Sequence, residues 1–196
     1  GGAQEMQTEP KQTVHPEETT QPEPPVTTVR ETVITDEGQP GPVYDENSTA
    51  VFSMTNASVR PGESFFIDIV ADRNAELSAF QLYFGIDDDV FTVEYASLGE
   101  EAKRHKDSAN SLYISSDKKG FQFLSGDATN IDLNGKTVLR IQLKVNPDAA
   151  EGSYIIPALN EESGHIYSSA ARCDKENETQ ISVNIYCNPG VITVTG

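Results

Sequence analysis

The chain has 196 residues and a formal net charge of −17 at pH 7. This excess of acidic groups repels phosphate backbones and anionic lipid surfaces, so neither nucleic acids nor membrane surfaces are expected partners. No run of about 18 apolar residues occurs, and the sequence therefore predicts no membrane-spanning helix in this fragment.

Residues 1–50 differ in composition from the rest of the chain. They contain seven of the eleven prolines and ten acidic residues, but no Leu and no Phe. Such a segment cannot bury enough apolar surface to offset the entropy lost on ordering. We predict a disordered, Pro/Thr/Glu-rich linker over residues 1–50 that acts as a semi-rigid spacer, followed by one folded domain over residues 51–196.

The domain begins with short strands at regular spacing, which is typical of an all-β sandwich or barrel. The first two predicted strands are Val51–Val59 and Ser64–Ala71, separated by a turn at Pro61-Gly62. Proline at one turn position and glycine at the next favour a tight turn.

The stretch from Ala79 to Gly99 predicts two further strands. Apolar residues alternate through Phe80, Leu82, Phe84 and Ile86 and again through Val90, Val93 and Tyr95, and the corner Asp87-Asp88-Asp89 separates the two runs. Period-two spacing indicates strands with one buried face. The two strands are predicted to be neighbours joined by an acidic turn.

Further elements follow in order. Residues 100–110 form a charged connection that predicts a helical turn, and strands are predicted over residues 111–115, 121–125, 137–146 and 153–159. Pro157 has no amide hydrogen, which predicts an edge or a bulge in the last of these. Residues 160–188 are predicted to be an irregular region that contains an alternating segment at 181–186, and a final strand covers residues 191–195. About nine strands and no long helix result.

Cys173 and Cys187 are the only cysteines. No histidine stands at metal-ligand spacing to them, which argues against zinc. A disulfide between them would close a loop of about 15 residues and contribute roughly 3 kcal/mol. A disulfide and two isolated buried thiols both remain open.

The acidic corner at residues 87–89 is the best candidate for calcium, since hard cations prefer clustered carboxylates. The spacing of an EF-hand loop is missing, however, and acidic corners are common between strands. We expect no metal and no cofactor in this chain.

No catalytic constellation is recognisable. The motifs Gly-x-Ser-x-Gly and His-Glu-x-x-His and the phosphate-binding loop are absent, and His105 and His165 lie in polar segments. We therefore expect that the domain is not an enzyme.

A protein-binding surface is the better hypothesis. The residues that alternate with the predicted core include tyrosines and aliphatics but few charges, a composition typical of interface centres. They are Ala79, Gln81, Tyr83, Tyr113, Gln122, Leu124, Ile155 and Leu159.

From Val51 to Gly196 the sequence resembles a cohesin, the receptor module of cellulosomal scaffoldins. The residues that carry the resemblance are Arg60-Pro61-Gly62-Glu63-Ser64, Phe80 to Val93, Gly120 to Ser125, Gly135 to Val145, Ala149 to Ile156, and Gly190 to Val194. Asp88 stands where the family has proline, and the insertion from Glu161 to Asn188 is unusual.

The resemblance implies a nine-stranded β-sandwich with jelly-roll topology. It also implies that the face formed by strands 8, 3, 6 and 5 binds the dockerin module of an enzyme or another scaffoldin, with Ser125 among the contacts. Calcium would then belong to the dockerin and not to this chain. The implied protein is secreted or attached to a bacterial cell surface, and is a monomer when unbound.

A carbohydrate-binding module is the alternative, because it shares the sandwich architecture and would bind a polysaccharide. Planar aromatic platforms normally serve that function, and tryptophan is absent.

Overall fold

The computed structural model describes residues 45–105, 112–159 and 168–196. Of the linker predicted over residues 1–50, residues 1–44 lie outside the described residues. Within the described ranges, no helix is both long and apolar enough to cross a membrane.

The helical turn predicted after residue 99 is the helix α1 (Glu100–Arg104). The strands are β1 (Ala50–Met54), β2 (Ala57–Val59), β3 (Ser64–Arg73), β4 (Glu76–Leu77), β5 (Ala79–Tyr83), β6 (Phe91–Leu98), β7 (Leu112–Ile114), β8 (Gly120–Leu124), β9 (Ile131–Asp132), β10 (Lys136–Val145), β11 (Gly152–Ile156), β12 (Ser169–Asp174), β13 (Thr179–Val183), β14 (Ile185–Asn188) and β15 (Gly190–Val194).

Two five-stranded sheets form the body of an all-β sandwich. The back sheet has the order β14-β1-β3-β10-β6, and the front sheet has the order β13-β12-β5-β8-β7. A three-stranded sheet, β11-β15-β2, and the pair β4-β9 complete the domain. Two strand pairs are parallel: β1 with β14, and β2 with β15. The predicted all-β sandwich is confirmed, but the described residues form fifteen strands where about nine were predicted.

The core lies between the two large sheets. On β5 the inward residues Phe80 and Leu82 are buried, as the alternating pattern predicts. The Phe80 ring lies 6.3 Å from the Phe52 ring of the back sheet and 5.3 Å from the Phe123 ring of the neighbouring strand β8. Each buried aromatic side chain of this kind contributes several kcal/mol to folding.

The acidic corner does not join two paired strands, which corrects the expectation for residues 79–99. Strand β5 belongs to the front sheet and β6 to the back sheet, so the chain crosses the sandwich at the corner. The backbone oxygen of Asp87 accepts hydrogen bonds from the amides of Val90 and Phe91, and its side chain accepts one from the amide of Asp89 at 3.0 Å. Local hydrogen bonds of this kind stabilise the turn.

Several predicted strands are divided in two. The segment predicted as Val51–Val59 forms β1 in the back sheet and β2 in the three-stranded sheet. Likewise β11 ends at Ile156, and Ala158 then makes an isolated bridge to Phe84 beside β5. Strand β11 lies at the edge of its sheet, as the proline at position 157 predicts.

The prediction of an irregular segment over residues 160–188 is wrong for its described part. Strands β12 and β13 form an antiparallel hairpin there, and β12 pairs with β5 in the front sheet. The Asp174 carboxylate caps the hairpin turn by accepting hydrogen bonds from the amides of Glu176 and Asn177, and Glu178 has a φ of +53°. The hairpin therefore extends the front sheet by one strand beyond β12.

Cys173 and Cys187 are free thiols. Cys173 lies on β12 of the front sheet, whereas Cys187 lies on β14 of the back sheet and pairs with Phe52. The alternative of a disulfide is therefore not supported. Burial raises the pKa of the Cys187 thiol to about 12, with a smaller contribution from the negative charge of Asp72.

Candidate functional site

The outward face of the front sheet is built from cross-strand rows of side chains. The first row runs Ser182, Ala171, Ala79, Leu124 across β13, β12, β5 and β8. The second row runs Ser169, Gln81, Gln122, Tyr113 across β12, β5, β8 and β7. With about 4.8 Å between strands, each row is about 14 Å wide.

None of these eight positions is charged, although 23% of the residues in the chain are charged. Tyr113 and Leu124 are 63% and 51% exposed. The back sheet presents a different outer face, where Arg140 forms a bidentate ion pair with Asp68 at 2.8 and 3.2 Å. Depletion of charge together with exposed aromatic and aliphatic side chains is typical of the centre of a protein interface.

The turn between β7 and β8 positions Tyr113. The Ser115 hydroxyl accepts a hydrogen bond from the Gly120 amide at 2.8 Å and donates one to the Asp117 carboxylate. The Asp117 carboxylate also accepts a hydrogen bond from the Lys119 amide at 3.1 Å. Such internal hydrogen bonds define the register of the hairpin and the direction in which Tyr113 points.

Tyr83 joins β5 to the same turn, because its hydroxyl donates a hydrogen bond to the Asp117 carboxylate. A Cβ atom at Gly120 would lie 2.9 Å from the Tyr83 ring, so glycine allows the ring to pack over β8. The hydrogen bond to Asp117 is the main cause that raises the pKa of Tyr83 to about 12, and burial adds to it. Burial acts to raise the pKa of Asp117, but the hydrogen bonds from Ser115, Tyr83 and Lys119 together lower it.

The acidic corner serves this arrangement as a structural element. The Lys119 ammonium lies 2.8 Å from the Asp88 carboxylate, and the Asn146 side chain donates a hydrogen bond to the Asp88 backbone oxygen. Within residues 45–105, 112–159 and 168–196, no group of three or more His, Cys, Asp or Glu side chains is arranged to hold a metal ion.

The structure brings six of the nine predicted site residues together on one face. These are Ala79, Gln81, Tyr83, Tyr113, Gln122 and Leu124. Leu159 lies next to them, since its amide donates a hydrogen bond to the Tyr83 backbone oxygen at 2.7 Å.

Two predicted site residues are placed elsewhere. Ile155 belongs to β11, which pairs with β15 in a separate sheet. Ser125 is buried, and its hydroxyl donates a hydrogen bond to the Thr129 backbone oxygen at 2.6 Å. Neither side chain lies on the front face, since the strand of Ile155 belongs to another sheet and Ser125 is buried with its hydroxyl in an internal hydrogen bond.

The contribution of the β12–β13 hairpin was missed by the sequence analysis. Ser169, Ala171 and Ser182 extend the two rows, and Gln180 lies beside them on β13. The turn residues Asp174 and Asn177 and the alternating segment at 181–186 are the signals that predict a hairpin here, but β12 itself shows little apolar alternation.

Comparison with known proteins identifies the fold. Neither a protein-family model nor a curated protein sequence matches the chain. Among solved structures, the third ScaB cohesin of R. flavefaciens, in complex with a group 1 dockerin, matches with a TM-score of 0.60 and 17% identity, over 78% of this chain and 99% of that one. The seventh ScaB type I cohesin of Pseudobacteroides cellulosolvens matches with a TM-score of 0.58 and 15% identity, over 76% and 93% of the two chains.

A third similar structure is a non-cellulosomal cohesin from the archaeon Archaeoglobus fulgidus, with a TM-score of 0.54 and 9% identity over 76% of this chain and 93% of that one. The sandwich thus belongs to the class of small all-β modules that these structures represent. More specifically, the chain has the cohesin fold, and the resemblance noted in the sequence is confirmed at the level of the fold.

Proposed function

We propose that this domain is a non-catalytic cohesin module that binds a dockerin through the outward face of the front sheet. The observation that carries the proposal is the pair of uncharged rows ending in Tyr113 and Leu124, both more than half exposed. Large exposed apolar side chains on a rigid sheet supply buried area with little loss of conformational entropy.

The similar structures support the choice of partner. The R. flavefaciens cohesin was solved in complex with a group 1 dockerin. A dockerin complex of ordinary size would bury roughly 1,200–2,000 Å² in total. The module would assemble or anchor components of a cellulosome, outside the cell or at its surface, and the linker preceding it would give reach.

Calcium is assigned to the partner in this proposal. The acidic corner is held by hydrogen bonds and by Lys119, and it supplies no cluster of three ligands in the described part of the chain. Chelation should therefore abolish binding by unfolding the dockerin while leaving this domain intact.

The proposal is tested by calorimetric titration of the domain with a panel of dockerins, with calcium and with excess chelator. We expect at least one dockerin to bind in calcium and none in chelator, at an unchanged melting temperature of the domain. Absence of binding to every dockerin, together with retention on a polysaccharide in a pull-down, would replace the proposal with a carbohydrate-binding function.

A further inference from the structure

A groove with a volume of about 720 Å³ opens on the front face and continues beyond the four strands expected from the sequence. It runs from Leu124 on β8 across β5 and β12 to Gln180 and Ser182 on β13. Its far end lies where the chain leaves β13 for the back sheet, at Asn184.

The shape of the groove follows from the sizes of the side chains in the first row. Ala79, Ala171 and Ser182 are short and form the floor. The longer Gln81 and Gln122 of the second row stand along one side, and Gln180 stands on the other. Leu124 closes the end next to Tyr113, so the groove is continuous with the proposed dockerin site.

The chemistry of the groove is polar but nearly uncharged. Amide side chains and hydroxyls provide both donors and acceptors of hydrogen bonds, and Asp45 is the one charged side chain among the lining residues described. An acidic segment would meet Asp45 and the strongly negative domain around it, which is unfavourable. An uncharged segment rich in hydroxyl or amide groups fits both the width and the hydrogen-bonding groups.

We infer that the β12–β13 hairpin is a second contact region that selects among dockerins. In this inference, which rests on the proposed function, an uncharged polar segment of the dockerin lies in the groove while its apolar residues cover Tyr113 and Leu124. Gln180 and Ser182 determine which segments are accepted, because they form the wall and floor contributed by β13. The apolar end of the site supplies most of the affinity and the groove supplies discrimination.

Strand β13 is well suited to variation without loss of the fold. Of its five residues only Val183 is buried, whereas Thr179, Gln180, Ile181 and Ser182 are exposed. Substitutions at the exposed positions are expected to change the unfolding free energy little.

The test compares Ser182→Arg with Thr179→Arg, using a dockerin that binds the wild-type domain. Both variants add the same side chain and charge to β13, but Ser182 lines the groove and Thr179 does not. We expect Ser182→Arg to weaken binding at least tenfold and Thr179→Arg to leave it within twofold, with equal melting temperatures. Gln180→Ala, which removes the amide without filling the groove, is expected to change the order of preference within the dockerin panel.

The possible failures are distinguishable. If no dockerin binds the wild-type domain, the proposed function itself is wrong. If a dockerin binds and both Ser182→Arg and Gln180→Ala leave affinity and preference unchanged, the hairpin is no contact region and the inference is overturned. A soluble polysaccharide that binds the wild-type domain but not Ser182→Arg would overturn it as well, because the occupant would then be a glycan.

Discussion

Tyr83 donates a hydrogen bond from its hydroxyl to the Asp117 carboxylate, which links the central strand β5 to the turn between β7 and β8. The hydrogen bond fixes the position of the β7–β8 turn relative to β5, and therefore the position of Tyr113 relative to Gln81. Asp117→Asn removes the negative charge and should lower the pKa of Tyr83 from about 12 toward 10. Absorbance titration of the tyrosines, with Tyr83→Phe to identify the step, measures this change. A high-pH step that is unaltered in Asp117→Asn would contradict the assignment.

The same pair gives the domain a defined dependence of stability on pH. The folded-state pKa of Asp117 is lowered, so its contribution is complete above the ordinary value of 3.8 and is lost as the pH falls through the folded value. Neutral Tyr83 is favoured in the fold, so its contribution is complete below pH 10 and is lost as the pH rises through about 12. Urea denaturation should show Asp117→Asn about 1 kcal/mol less stable than wild type at pH 7. The difference should shrink in strong acid, and a constant difference would be evidence against the ionised pair.

Tyr113 and Leu124 are the expected anchors of the partner. Replacement of either by alanine should weaken dockerin binding by about 2 kcal/mol, which is about thirtyfold in Kd. Tyr95→Ala is the matched control, since Tyr95 is 59% exposed but lies on β6 of the back sheet. If calorimetry shows that Tyr113→Ala and Leu124→Ala both bind the dockerin with wild-type affinity, the front face is not the dockerin-binding surface.

Adjacent residues of β5 should respond in opposite ways. Ala79 faces outward, and Ala79→Arg places a long charged side chain at the centre of the face, so binding should be lost while the unfolding free energy changes by less than about 0.5 kcal/mol. Phe80 is 1% exposed, and Phe80→Ala should cost about 3–5 kcal/mol of stability. Chemical denaturation together with dockerin titration measures both effects. A stability loss in Ala79→Arg as large as that in Phe80→Ala would mean that the face assignment is reversed.

The two cysteines should behave as independent thiols. Reaction with a thiol reagent in the native protein should be confined to the half-buried Cys173, because burial keeps Cys187 protonated and inaccessible. Both should react after denaturation, and a reductant should leave both the intact mass and the melting temperature unchanged. A mass that rises by two hydrogens on reduction would instead establish a disulfide.

Local pattern was sufficient to predict most of the strands of the front face. The alternation at Phe80 and Leu82 separates core from surface because a strand places successive side chains on opposite sides. The same rule placed Gln81, Gln122 and Leu124 on the outward side, where the structure has them.

What local pattern could not predict is which strands pair over long distances. Strands β5 and β6 are adjacent in sequence yet lie in different sheets, and β11 pairs with β15 in a separate sheet, so that the chain reaches the edge of β5 only from Pro157 onward. The β12–β13 hairpin buries little apolar surface, and only its second strand falls in an alternating segment, at residues 181–186, so the pairing of this strand with β12 was not predicted. All three errors concern packing between distant segments, which sequence periodicity does not encode.

The central claim is that a dockerin covers the front face, and side-chain footprinting by hydroxyl radicals tests it most directly. Tyr113, Leu124, Tyr95 and Phe66 are all at least 49% exposed in the free domain, so each reports on its own face. With saturating dockerin, we predict that oxidation of Tyr113 and Leu124 falls severalfold while that of Tyr95 and Phe66, on the back sheet, is unchanged. Protection of Tyr95 and Phe66 with continued oxidation of Tyr113 and Leu124 would contradict the account.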